Sequence, residues 1–475
     1  MTPGSAGPGW RRAVGAVVSG LTILGAIVLV APAGVLAHAL GPTYASRLPL
    51  AVYLAGAAVT VALSFIFVLV RDVRAERPTT DGPSHLPPAP VRLSLRALGL
   101  LGWAWIVAQG ILGGGGDGAV ATLFLWVYGW VGVAMLSVFV GPVWYYLDPY
   151  STLHDLGAAL IRRLGITPWE QAEYPARLGR WPAVIAFIVV VWLELGLEAG
   201  PEALFVVVVG YTALTLAMMA QFGRDAWRAN GEVFTVWFRL LGRLAPYALA
   251  DEDGRIRRRT FASGLLEPGW SLAAVVVVAL GVGSILYDGL SQTQSWFDRF
   301  GQPNLPIQSA LLFVFLGIIV LAAVAVTKVV GTGATGAGLL PIAAGYLVAH
   351  YLTYLLIDGQ RIVIALSDPF QRGWDLFGTA FHEPTGDWLP PGLIWTVQLA
   401  AVVGGHMLGA WGGHVVAALE APEGESTRSI TLRQIPLALV MIALTTLTLW
   451  SLGQAIVVAP EDGEAVRQTL TAMRG

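Results

Sequence analysis

Long apolar runs separated by short polar segments dominate the chain. Runs able to cross about 30 Å of hydrocarbon fall at about 13–36, 50–70, 95–112, 119–140, 182–199, 201–221, 270–288, 307–329, 339–358, 392–416 and 435–458. This pattern predicts an all-α, polytopic membrane bundle of ten or eleven transmembrane helices. The 182–221 block reads as a hairpin turned at "EAGPEA". Two loop segments carry a helical period instead. In "DPYSTLHDLGAALIRRLG" (148–165), Asp148 is placed to cap a helix and Pro149 to open it, with Leu153, Leu156 and Leu160 on one face. In "NGEVFTVWFRLLGRLAPY" (230–247), Val233, Phe234, Trp237, Leu240, Leu241 and Leu244 share a side, with Arg239 and Arg243 available to anionic headgroups. Both are expected to be amphipathic helices on the cytoplasmic membrane surface.

"RPTTDGPSHLPPAP" reads as a Pro-rich linker without a packing signal. The segment 358–391 mixes Trp374, Phe377, Phe381 and Trp388 with acids, and is expected to fold back over the bundle as short helices and turns.

Charge then orients the spans. With the N-terminus inside, 22 of the 28 Lys and Arg fall on inner segments and 6 on outer ones, the bias that the positive-inside rule demands. The C-terminus is then outside, and the outer face is acidic. The chain is 56% hydrophobic and only 12% charged, against about 25% charged in a soluble protein; its bulk solvent is lipid. A net charge of −2 without a basic stripe gives no sign of nucleic-acid binding. With no cysteine, disulfides, thiolate catalysis and thiolate ligands are excluded. Residues 1–37 read either as a signal peptide ending at Val35-Leu36-Ala37 or as an uncleaved first span. A single polytopic domain over 38–460 and a short outer tail over 461–475 complete the expected organisation.

Glycine-rich "GTGATGAG" (331–338) contains Gly-x-Gly-x-x-Gly, but lies between two membrane helices rather than in a βαβ unit, so it is no nucleotide fingerprint. The chemistry-bearing residues are polar ones inside spans. Glu194, His350 and His406 fall near mid-membrane, with Asp288 and Glu198 nearer the outer mouth. Glu194 and Glu198 are four apart, as are His350, Tyr354 and Asp358, and each set would share a helix face. Beside the stripe His406, Ala410, His414 run Gly405, Gly409 and Gly413, a doubled Gly-xxx-Gly pattern that admits close approach of another helix.

Intramembrane ionisable groups are costly and point to function. Imidazole with carboxylate suits a divalent metal ion such as zinc, iron, copper or manganese. The metal ligands would be His350, His406, Glu194 and, if cleavage frees it, His38. Glu194 is also a candidate general base, and Asp288 and Asp358 candidate orienters of the ligands. The same residues fit a structural hydrogen-bond network, and facing histidines fit haem. The expected partner of His350 is Glu194 or His406.

Four segments, "WVGVAMLSVFVGPVWYYLDPYSTL", "YLVAHYLTYLLIDGQ", "SDPFQRGWDLFGT" and "HMLGAWGGHVVAAL", resemble a family of bacterial multi-pass membrane proteins labelled fenitrothion hydrolase-like. The resemblance runs from "AHALG" to the last span. Relatives often carry Asp-Arg after the second histidine of the last segment, where this chain has Val415 and Val416. It implies a membrane bundle and hydrolysis of a small-molecule organophosphate triester, and it brings no catalytic residues with it. A transporter or metal-handling protein, with helix breaks at Gly281–Gly283 and Gly404–Gly405, and a non-catalytic assembly subunit are the alternatives.

Overall fold

The computed structural model describes residues 77, 82–113, 119–167 and 170–452. The first two apolar runs, Ala37, His38 and the 461–475 tail lie outside the described residues. After a two-residue strand, β1 (Ser84–His85), come α1 (Ala89–Leu112) and α2 (Val120–Phe139). Short α3 (Val143–Leu147) and α4 (Pro149–Arg163) precede the pair α5 (Trp181–Leu195) and α6 (Pro201–Phe222). The next loops hold α7 (Arg224–Asn230), α8 (Val233–Leu241), β2 (Tyr247–Leu249) and β3 (Ile256–Arg258). The remainder is helical: α9 (Leu272–Ser291), α10 (Gln294–Phe300), α11 (Leu305–Val330), α12 (Thr332–Ile357), α13 (Arg361–Ser367), α14 (Pro391–Leu419) and α15 (Thr427–Leu452).

Eight of these described segments are long and apolar enough to cross a membrane, and α5 is a shorter apolar helix of 15 residues. Each coincides with an apolar run read from the sequence. The protein is an all-α, multi-pass membrane bundle. Its centre is α9 and α12, whose side chains are buried along almost their whole lengths. That position follows from composition: both hold several Ala and Gly residues, which let surrounding helices close around them.

The expected close approach of the glycine helix is realised between α12 and α14. A Cβ at Gly405 would collide with the Pro341 carbonyl, one at Gly345 with the Ala401 carbonyl, and one at Gly409 with the Gly338 carbonyl. Gly404, one residue away, meets nothing within 4 Å. Gly405→Ala is therefore expected to force the helices apart and cost about 1–3 kcal/mol, whereas Gly404→Ala should leave stability unchanged or raised. Melting curves of the two variants in one detergent check this; equal melting temperatures would mean that the contact is loose. Gly281–Gly283 and Gly404–Gly405 all lie within unbroken helices. Gly281 serves packing too, because the Trp237 ring occupies the place of its missing side chain.

Asp148 caps α4 as the sequence indicates, accepting from the backbone N–H of Tyr150 at 2.9 Å and of Ser151 at 3.2 Å. Leu156 and Leu160 point outward and are exposed. The second amphipathic segment differs. Residues 233–241 do form a helix, α8, but its apolar face is buried in the bundle. Trp237 packs on Phe187 of α5, and Phe234 and Phe238 pack on Trp130 and Trp144. Complementary aromatic surfaces claim this face before lipid does.

Two further features escaped the sequence pattern. The Pro-rich linker is docked: β1 pairs antiparallel with β3, which pairs with β2, in the order β1-β3-β2. Arg255 clamps it by donating to the Ser84 carbonyl at 2.7 Å. Within α2, residues Leu123–Gly132 are wound as a π-helix, a geometry often found beside functional sites.

Candidate functional site

Three ionisable residues converge near the C-terminal ends of α5, α9 and α12. Asp288 lies about one turn from the end of α9, and His350 about two turns from the end of α12. His350 donates from Nε2 to Asp288 Oδ2 at 3.0 Å. An ionised carboxylate only accepts, so Nε2 carries a proton, and in the neutral imidazole Nδ1 then holds the lone pair. Asp288 also accepts from the Tyr351 hydroxyl at 2.8 Å and from the Gln292 amide at 2.6 Å. Its charge is thus spread over three donors, which is how a carboxylate is accommodated away from water.

Nδ1 of His350 makes no hydrogen bond among the described residues. The His350 side chain is 15% exposed, and Gly289 lies beside it: a Cβ there would sit 3.5 Å from Nδ1. Glu194, half-buried at the end of α5, lies near Trp130 and within electrostatic reach of Asp288. Tyr354 stands within reach of Glu194, Asp288 and Asp358. A polar seam therefore runs from the Asp288–His350 pair toward the helix ends, with Trp130 of the π-helical stretch as one wall.

Not all candidates join it. The partner of His350 is Asp288, rather than Glu194 or His406. His406 belongs to another pair: its Nδ1 is 2.9 Å from the Thr445 hydroxyl of α15, and His414 Nδ1 is 3.1 Å from Gln434 Oε1 of the same helix. The glycine contact explains the separation. Gly405 lies against Pro341 and Gly345, which places His406 one to two turns from the level of His350, roughly 10 Å by helical rise. The two histidines face different helices. Asp358 begins a 3-10 turn after α12 and pairs locally with Arg361 at 3.1 Å. Glu198 shares no face with Glu194, because α5 ends at Leu195 and Glu198 has φ +49°.

Among the described residues no group of three His, Asp or Glu side chains is arranged to hold a metal ion. Asp288 and His350 are bound to one another, and Glu194 is within electrostatic reach of Asp288. His38 lies outside the described residues.

The "SDPFQRGWDLFGT" segment is a self-capped loop. Asp368 accepts from the N–H of Arg372 and Gly373 at 2.8 and 2.7 Å, and Asp375 from the Ser367 hydroxyl at 2.8 Å and the Ala380 N–H at 3.0 Å. These bonds hold the Asp375 carboxyl below its ordinary pKa, the Ala380 and Ser367 bonds contributing most. Phe370 of this loop stacks on Trp105. Its acids are spent on the backbone rather than offered to a substrate.

Sequence reasoning missed Tyr351, Gln292 and Trp130. Gln292 had a readable signal, four residues after Asp288 on one helix. Tyr351 is brought in by the same turn of α12 as His350; for Trp130 the sequence offers nothing. No protein family, curated protein or solved structure matches the chain. What fold and site define together is a class: a multi-pass helical membrane protein with a buried Asp–His pair.

Proposed function

We propose that this is a multi-pass protein of the bacterial cell membrane in which His350, oriented by Asp288, acts as an acid–base group at a site open to the outer face. The observation that carries the reading is the pair itself. Asp288 fixes the tautomer and orientation of the imidazole, leaving Nδ1 as an accessible base. The outward placement rests on the Lys and Arg asymmetry, with the N-terminus inside and the C-terminus outside.

The pair suits hydrolase-like chemistry on a phosphate triester. His350 Nδ1 takes a proton from water, the water oxygen bonds to phosphorus, and the aryloxide leaves with its electron pair. The imidazolium formed is stabilised by the Asp288 charge.

Release of nitrophenolate from a nitrophenyl phosphotriester by protein in liposomes tests it, with metal content measured on the same sample. Wild type is expected to exceed the lipid background and His350→Gln to match it. The wild-type rate should survive chelator. A rate lost on chelation and restored by zinc or manganese would establish a metal site instead. No hydrolysis by the wild type would sink the reading and favour transport or assembly.

A further inference from the structure

A second polar site lies at the opposite, loop-rich end of the bundle. There α7, α8 and the β2–β3 segment surround a cavity of about 400 Å³. Five arginines line it, and two of them are neutralised. Arg228 pairs with Asp148 at 3.2 Å and Arg259 with Glu267 at 2.9 Å. Two of the lining acids are committed to arginines outside the cavity, Asp225 to Arg224 at 3.1 Å and Asp251 to Arg255 at 3.9 Å.

Arg180, Arg239 and Arg243 remain, without a carboxylate at ion-pair distance among the described residues. Arg180 donates to the carbonyls of Gly269 and Ala229 at 3.2 and 3.4 Å. Arg243 donates to the carbonyls of Gly264, Glu267 and Pro268 at 3.2, 2.8 and 2.8 Å and lies over the Trp270 ring. These bonds position the two groups without neutralising them. Among the described residues Arg239 makes no hydrogen bond or ion pair, and Glu252 offsets the like charges of Arg180 and Arg228 around it. Burial pushes Arg243 down to about 10, and Arg180, Arg259 and Arg239 add to this against the pull of Glu267. Cations gathered round a cavity repel one another unless an anion is shared between them.

We propose that this cavity binds a phosphate-bearing anion, held between Arg180, Arg239 and Arg243, with its organic part against Trp144, Tyr145 and Phe238. A carboxylate fills one guanidinium fork. A phosphate presents enough oxygens to engage several at once. The cavity also exceeds the size of a bare phosphate, and its aromatic lining offers a surface to the substituent. The phosphate belongs either to an anionic phospholipid headgroup or to a soluble phosphoryl compound. The site is independent of the Asp288–His350 pair.

The test uses the full chain in detergent, melted against increasing inorganic pyrophosphate and, separately, in mixed micelles of phosphatidylglycerol or phosphatidylcholine. Pyrophosphate or phosphatidylglycerol is expected to raise the melting temperature saturably, phosphatidylcholine not. Arg239→Gln should weaken the effect on the order of tenfold, the loss of one charge-assisted bond. Its ligand-free melting should match or exceed that of wild type, since Arg239 makes no bond there and is repelled by Arg180 and Arg228. Arg163→Gln, the same charge change at the exposed end of α4, should leave the effect intact. A response to phosphatidylglycerol alone identifies a headgroup site, and one to pyrophosphate alone a soluble ligand. No response to either, or equal loss in Arg163→Gln, overturns the proposal.

Discussion

Arg228→Ala is expected to destabilise the protein by about 3–5 kcal/mol, the usual cost of leaving half of a buried ion pair. Arg228 Nε lies 3.2 Å from Asp148 Oδ2, with the two side chains 7% and 0% exposed. Asp148 keeps its cap bonds to Tyr150 and Ser151 in the variant, which places the expected loss near the lower end. Glu232 works the other way. It is fully buried, caps α8 by accepting from Phe234 and Thr235 at 3.1 and 2.6 Å, and also accepts from Trp144 and Tyr211. Burial, and after it the Asp148 charge, already push its carboxyl above the ordinary value. Removing Arg228 leaves Asp148 within reach of the Glu232 carboxyl and without the cation that pairs with it. Asp148→Asn in the Arg228→Ala background should recover part of the loss, since it removes the stranded charge and keeps an acceptor for the cap. Melting curves of the single and double variants decide the matter. A single-variant loss no larger than that of exposed Arg163→Ala would show the pair to be dispensable.

The second large effect falls on Asp288, where substitution separates structure from chemistry. Asp288→Ala strands the donors of His350 and Tyr351, and each buried donor left unpaired costs about 1–3 kcal/mol; Gln292 is exposed and turns to water. The variant is expected to melt well below wild type. Asp288→Asn keeps volume and an acceptor oxygen, so it should melt close to wild type. It nevertheless removes the charge that orients and stabilises the His350 imidazolium, so the rate is expected to fall about 10²–10⁴-fold. The comparison is made on kcat and KM in liposomes. A fall confined to KM, or an unchanged rate, would reduce the pair to a structural bond between α9 and α12.

Depth along a helix is readable from residue counts: they put Glu194 and His350 near mid-membrane and Asp288 nearer the outer mouth, whereas the structure sets Asp288 against His350. Direction is not. His406 was grouped with His350 because both fall near mid-span, yet the register of the α12–α14 glycine contact sets them at different levels facing different helices. Glu198 shows a related failure: a four-residue spacing has meaning only while the helix continues, and α5 stops at Leu195.

The sequence by itself determined which of the described segments are apolar enough to span, though not their ends, along with the Asp148 cap of α4 and the close-packed face of α14. Each follows from short-range physics: the length needed to cross hydrocarbon, the unpaired N–H groups at a helix start, and the missing side chain of glycine. Only the tertiary structure decided that α8 turns its apolar face inward, that the Pro-rich linker adds a strand, and that Asp288 is the partner of His350. Those outcomes depend on which surfaces compete for the same face. An amphipathic helix is satisfied equally by lipid or by an aromatic wall, and a buried imidazole by any acceptor in reach. Helix rotation and register, fixed by packing across the whole bundle, make the choice.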